Sequence, residues 1–134
     1  MKKTKINSDA FAKRLGAYSH GYSVEMGDAQ IIFTTGQIAL DKDGNVVHPE
    51  DVGKQAEYVY ESLNKILKEA GASLDDVVKT TVYVTDMNDF PKISAVRNKY
   101  FKTAEPASTL VEVKKLVKDG CRVEIEVIAV KKIQ

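Results

Sequence analysis

The sequence predicts an α+β domain in which two helices pack on one face of a mixed β-sheet. Three observations carry that prediction. The 134 residues are enough for one compact domain with a real core and too few for two ordinary ones. Two stretches, residues 51–70 and 90–101, carry apolar side chains at helical steps of three and four, while the rest of the apolar sequence alternates or runs on in β-branched residues. The elements follow one another as strand, strand, strand, helix, strand, helix, strand, strand, which places a helix between successive strands and implies one sheet covered on one side. No linker, internal repeat or low-complexity segment divides residues 1–134, so a single domain is expected.

Taken in order, Thr4-Lys5-Ile6 reads as a short edge strand, and Ser8 to Leu15 has no clean period. Gly16-Ala17-Tyr18-Ser19-His20-Gly21 sets small residues around one tyrosine, which suits a turn that presents a side chain. Tyr22 to Met26 and Gln30 to Thr35 are apolar runs separated by Gly27-Asp28-Ala29, the composition of an antiparallel hairpin. Thr34-Thr35-Gly36-Gln37 then ends the second strand with hydroxyls and a glycine, where backbone can approach a ligand closely. Asp41 to Asn45 is a turn cluster.

Val52, Ala56, Val59, Leu63, Ile66, Leu67 and Ala70 form one stripe of a helix that stops at Gly71. Acidic Glu50 and Asp51 before it and Lys65 and Lys68 near its end suit the helix dipole. Residues 75–85 give a β-branched run expected as a central strand, closed by Asp86-Met87-Asn88-Asp89. A second helical period runs from Phe90 to Phe101 with Pro91 in its first turn.

Residues 106–131 read as a β-hairpin around a turn at Leu116 to Gly120. Val111, Val113, Val123, Ile125, Val127 and Ala129 would face the core, and Ser108, Glu112, Arg122, Glu124 and Glu126 the other way. Half-apolar residues on that second face, including Leu110 and Ile128, would be explained by a homo-oligomer that closes sheet against sheet.

Composition narrows the partners. A formal net charge of +1 argues against a dedicated grip on nucleic acid or an acidic membrane, and no basic stripe with interleaved aromatics marks an RNA surface. No run of about 20 apolar residues is present and no apolar core follows the basic first residues, so a cytoplasmic protein is expected. Cys121 is the only cysteine, which agrees with a reducing compartment. His20 and His48 stand far apart without ligand spacing, so no metal centre and no cofactor is expected.

Several short words, in this order, carry a resemblance: Gly16-Ala17-Tyr18-Ser19, Thr35-Gly36-Gln37, Ala70-Gly71, Val78-Lys79-Thr80-Thr81-Val82, Asp86-Met87-Asn88-Asp89-Phe90, Tyr100-Phe101, Pro106-Ala107 and Val123-Glu124-Ile125-Glu126. With them the chain resembles the RidA family, also called the YjgF family, over almost its whole length. The resemblance implies a chorismate-mutase-like fold and a homotrimer with ligand clefts between neighbouring subunits. It also implies hydrolysis of reactive enamines and imines, such as 2-iminopropanoate, to a 2-oxo acid and ammonia.

By that resemblance the cleft would be lined by Tyr18, Thr35, Gly36, Asn88, Ser108 and Glu124, with Glu124 and Tyr18 as the catalytic pair and Glu124 holding the attacking water. Such chemistry needs no metal, because an iminium carbon is already electrophilic and water needs only a position and a base.

The chain departs from the family at Ser108, where the best-known members carry the arginine that binds the substrate carboxylate. Hydrogen bonds to charged groups contribute about 1.5–3 kcal/mol against roughly 1 for neutral ones. A carboxylate should therefore bind about tenfold more weakly or worse, unless another cation moves in. Arg14 and Arg122 are the two candidates for that cation. A metabolite-converting enzyme is one expectation, a non-catalytic metabolite-binding or chaperone-like trimer the alternative, and an RNA-directed inhibitor of translation a weaker third.

Overall fold

In the computed structural model, which describes residues 1–133, the periodic stretches become ordered elements largely where the pattern puts them. The strands are β1 (Lys3–Ile6), β2 (Gly21–Met26), β3 (Ala29–Thr34), β4 (Val77–Val84), β5 (Ala107–Glu112) and β6 (Val123–Lys132), and the helices are α1 (Val52–Glu69) and α2 (Phe90–Tyr100). One sheet contains all six strands in the order β1-β2-β3-β6-β4-β5. Every neighbouring pair is antiparallel except β4 and β5, which run parallel and are connected through α2.

The ends of α1 follow from local chemistry. The Asp51 carboxylate accepts the Lys54 N–H at 3.1 Å and so caps the start. At the other end Gly71 takes φ 78, a conformation a glycine adopts without a Cβ penalty, and its N–H donates to the Lys68 carbonyl. Between them Val52, Ala56, Val59, Leu63, Ile66 and Leu67 are buried, as their spacing predicts. They meet Val123, Ile125, Val127 and Ala129 of β6, and Ile93 and Val96 of α2 join the same core. Each fully buried aliphatic side chain contributes about 1.5–3 kcal/mol, so this layer dominates the stability of the fold.

No helix among the described residues covers the opposite face of the sheet. Strand register lines up Tyr22, Phe33 and Ile128 across β2, β3 and β6, with Val24, Ile31 and Val130 in the adjoining row. Phe33 and Val130 remain 42% and 41% exposed.

The expected hairpin over residues 106–131 does not form. Its two strands exist, but β4 lies between them: β5 pairs with β4 from Lys79↔Ala107 to Val84↔Glu112, and β6 pairs with the other edge of β4. The faces change accordingly. Ser108, Leu110 and Glu112 sit beside Thr80, Val82 and Val84 on the helix-covered side, and Leu110 packs against the core instead of the open face. Val111 points away from the core and is 40% exposed. Glu124 and Glu126 do occupy the open face, beside Tyr83 and Thr81 of β4. No helix among the described residues is long and apolar enough to cross a membrane.

Candidate functional site

Four of the predicted site residues converge because the segment after β3 is stitched to β6. Gln37 and Ile125 exchange backbone hydrogen bonds, with N···O distances of 2.9 and 3.1 Å, which draws Thr35 and Gly36 alongside Glu124. The approach leaves no room for a side chain unless the carboxylate moves: a Cβ on residue 36 would lie 2.6 Å from Glu124 Oε2 and 2.9 Å from its carboxyl carbon.

The tyrosine loop is attached to the same place. Thr35 N–H donates to the His20 carbonyl at 2.9 Å, fixing the loop that precedes β2. Within that loop the Leu15 N–H donates to the Tyr18 hydroxyl at 2.9 Å, and Arg14 Nη1 donates to the Tyr18 carbonyl at 3.0 Å. The result is a hollow of about 280 Å³ lined by Tyr18, Thr35, Gly36 and Glu124, with Leu15 and Val117 as apolar walls.

Glu124 is the chemically distinctive group in this hollow. Burial is the main reason its carboxyl is pushed above the ordinary carboxylate range, and the negative charge of Glu126 adds to the effect. Glu126 is itself held by the Tyr83 hydroxyl, which donates to its Oε1 at 2.9 Å. Neither ion pair among the described residues involves Glu124. Its carboxylate is half-buried, without an ion-pair partner among the described residues, and held against a bare stretch of backbone. Such a group can take a proton from water and return it.

Asn88 and Ser108 lie elsewhere on the protomer. Asn88 shares a shallow hollow with Met87, Phe90, Pro91 and Leu110, and Ser108 lines another between the end of α2 and the start of β5. One chain thus presents two separate groups of the predicted residues: Tyr18, Thr35, Gly36 and Glu124 in one, Asn88 and Ser108 in the other.

Neither expected substitute cation lines the hollow of Ser108. Arg14 is engaged with the Tyr18 loop, and Arg122 Nη2 is bound to Asp89 Oδ1 at 2.7 Å, where Asp89 is only 7% exposed.

Sequence reasoning passed over three residues that build the site. His20 is buried: its Nδ1 accepts the Ser8 N–H at 3.3 Å, leaving Nε2 to donate to the Ala12 carbonyl at 3.0 Å, and this folds the unpatterned stretch before Tyr18. Gln37 supplies the backbone bridge to β6. Gln55, fully buried on α1, donates to the Val47 and Gly120 carbonyls at 3.1 and 2.8 Å and accepts the Arg122 N–H at 2.9 Å, which anchors the loop leading into β6. A polar residue inside the apolar stripe 52, 56, 59 was the available signal for Gln55. Nothing periodic marks His20 or Gln37.

Comparison with known proteins gives a consistent picture. Residues 11–131 match the family described as Endoribonuclease L-PSP. A RutC family protein of Pyrococcus abyssi is 41% identical over 131 residues, covering 98% of this chain and 99% of that one. A 2-iminobutanoate/2-iminopropanoate deaminase of Salmonella typhimurium is 40% identical over 136 residues, covering 98% and 100%. Among solved structures, Escherichia coli TdcF with bound serine superposes with a TM-score of 0.82 at 33% identity, covering 96% and 99%.

Proposed function

The chain belongs to the endoribonuclease L-PSP (RidA/YjgF) family, and on that premise we propose that it hydrolyses the C=N bond of small reactive imines, enamines reacting through their imine tautomers, at a cleft shared between subunits of a homotrimer. The observation that carries the reading is the Glu124 carboxylate, raised above its ordinary pKa and set against Gly36 beside Tyr18 and Thr35.

The chemistry follows from that placement. Glu124 accepts a proton from a water molecule as the water oxygen bonds to the imine carbon, and the imine nitrogen takes up a proton from solvent, giving a carbinolamine. Return of the proton from Glu124 to nitrogen lets the C–N bond break as the new hydroxyl gives its proton back to solvent. A carbonyl product and ammonia leave, and one water has been consumed. The backbone at Gly36 and the Thr35 side chain position the substrate, and Tyr18 walls the hollow. Relatives named 2-iminobutanoate/2-iminopropanoate deaminase support this choice of reaction.

The separation of Asn88 and Ser108 from Glu124 supports a composite site, in which the first pair from one subunit faces the second group from its neighbour. The uncovered apolar face of the sheet supports association of copies. The net charge of +1 gives no comparable support to action on RNA.

The test is the decay of enzymatically generated 2-iminopropanoate. Added protein should accelerate it, and decay no faster than in buffer removes this substrate. Ser108 favours a second reading, a binding module without turnover. Glu124→Gln separates the two, because an enzyme would lose its rate whereas a binding module would keep its ligand.

A further inference from the structure

Resting on the reading above, a substrate with the carboxylate implied by those relatives' names needs a cation that Ser108 does not supply. We infer that the hollow between the end of α2 and the start of β5 is an anion subsite, in which the Arg97 guanidinium, with Lys102 and the Ser108 hydroxyl beside it, receives a carboxylate. The hollow measures about 520 Å³, and Arg97, Lys102, Asn98 and Ser108 all line it, with Phe101 as an apolar wall.

Arg97 is held in place for this task. Its Nη2 donates to Ser94 Oγ at 2.8 Å and to Asn98 Oδ1 at 3.2 Å, and its Nε donates to the same Asn98 oxygen at 3.3 Å. These bonds fix the plane of the guanidinium and leave the two Nη1 donors without a partner among the described residues. Neither ion pair there uses Arg97 or Lys102. An oriented fork with spare donors loses little conformational freedom when an oxyanion arrives.

The position also links the two hollows of this part of the chain. The Arg97 guanidinium carbon lies 5.9 Å from the centre of the Phe90 ring, and Phe90 walls the hollow of Asn88 and Leu110. Leu110 and Ser108 share one face of β5. Asn88 and Leu110 line the one hollow, and Arg97 and Ser108 the other. The charge absent from β5 is thus offered from α2.

Two features oppose an anion here. Glu105 lines the same hollow, and the last-turn carbonyls of α2 carry partial negative charge. Lys99 in that turn and Lys102 just beyond it offset the carbonyls. The opposition of Glu105 can be measured.

Isothermal titration of the full chain with 2-oxobutanoate, and with 2-butanone as its counterpart without the carboxylate, tests the subsite. Parent protein should prefer the oxo acid. Arg97→Gln should weaken oxo-acid binding about tenfold or more and leave the ketone unchanged. Arg97→Lys should fall between them, and Glu105→Gln should tighten oxo-acid binding. Lys13, which lines the Glu124 hollow, is the comparison: Lys13→Met should change oxo-acid binding less than Arg97→Gln does.

The subsite is overturned if Arg97→Gln binds 2-oxobutanoate like the parent, if the parent shows no preference for it over the ketone, or if Lys13→Met causes the larger loss. Imine turnover is scored separately. Oxo-acid binding that depends on Arg97 but comes without turnover keeps the subsite and sinks the catalytic reading, whereas turnover with an unchanged KM in Arg97→Gln does the reverse.

Discussion

The carboxylate of Glu124 and the α-carbon of Gly36 are packed so closely that one methyl group on residue 36 would fall 2.6 Å from Oε2. Gly36→Ala must therefore push the carboxylate aside. The atoms displaced belong to the end of a flexible side chain, so the fold should survive with stability within about 1 kcal/mol of the parent. Turnover should drop at least about tenfold, since a misplaced base loses its geometry. Parallel thermal melts and rate measurements check this, and a variant with full activity would show that the contact does not matter.

Glu124→Gln should abolish most of the rate, by about 10²–10⁴-fold, the range general acid–base groups supply. Its effect on stability should have the opposite sign. The folded carboxyl is pushed above its ordinary value, so the folded state holds the proton more tightly than the unfolded chain, and the cost of Glu124 to stability grows as pH rises from the ordinary carboxylate value and is complete above its folded pKa. Glutamine should thus be more stable than glutamate near neutral pH. That advantage should shrink as pH falls through the window between the folded and the ordinary carboxylate value. Glu126→Gln removes the smaller of the two causes and should move the acid limb of the rate profile downward, a shift that kinetics at a series of pH values would reveal.

Phe33 and Val130 lie in adjoining rows of the uncovered sheet face. If copies associate there, Phe33→Lys should convert a species of three times the 14.8 kDa chain mass into single chains while far-ultraviolet dichroism is retained. Loss of turnover should accompany dissociation, because Asn88 and Ser108 could then no longer face a neighbour's Glu124. Sedimentation velocity gives the answer, and a parent protein that sediments as a monomer at micromolar concentration contradicts both the assembly and the shared cleft.

Tyr60 is fully buried with its hydroxyl lacking any hydrogen-bond partner among the described residues, and burial pushes its phenol far above the ordinary value. Its ring stacks on Tyr100 at 5.0 Å and meets Phe101 edge-on at 5.3 Å. Tyr60→Phe keeps both ring contacts and removes the unpaired hydroxyl, so it should raise stability by about 1 kcal/mol. Urea denaturation would measure the change, and a loss of stability would mean that the hydroxyl has a partner.

Much of the architecture was legible from residue spacing. The α1 stripe, the β2–β3 hairpin and the apolar row of β6 could be read because a periodic pattern reports directly on the face it buries. Strand partnership was not legible. The alternation in residues 107–112 says that a strand exists but not which edge receives it, and here α2 returns the chain parallel to β4. That single difference carried Ser108, Leu110 and Glu112 to the helix side. For the site, the short words around Tyr18, Thr35-Gly36 and Glu124 marked residues that do come together. What joins them, the backbone bridge at Gln37 and the buried His20, follows from tertiary contact and leaves no periodic trace.

The placement of β6 has a bearing on how the protein is made. Among the described residues it is the only strand that touches both the β1-β2-β3 ladder and the β4-β5 pair, yet it follows the other five in the sequence. A nascent chain emerging from the ribosome would carry two unjoined half-sheets with open seams until Val123 to Lys132 is released. Glu124 lies on that same closing strand, so the reactive carboxyl would take its place only as the two halves are sealed.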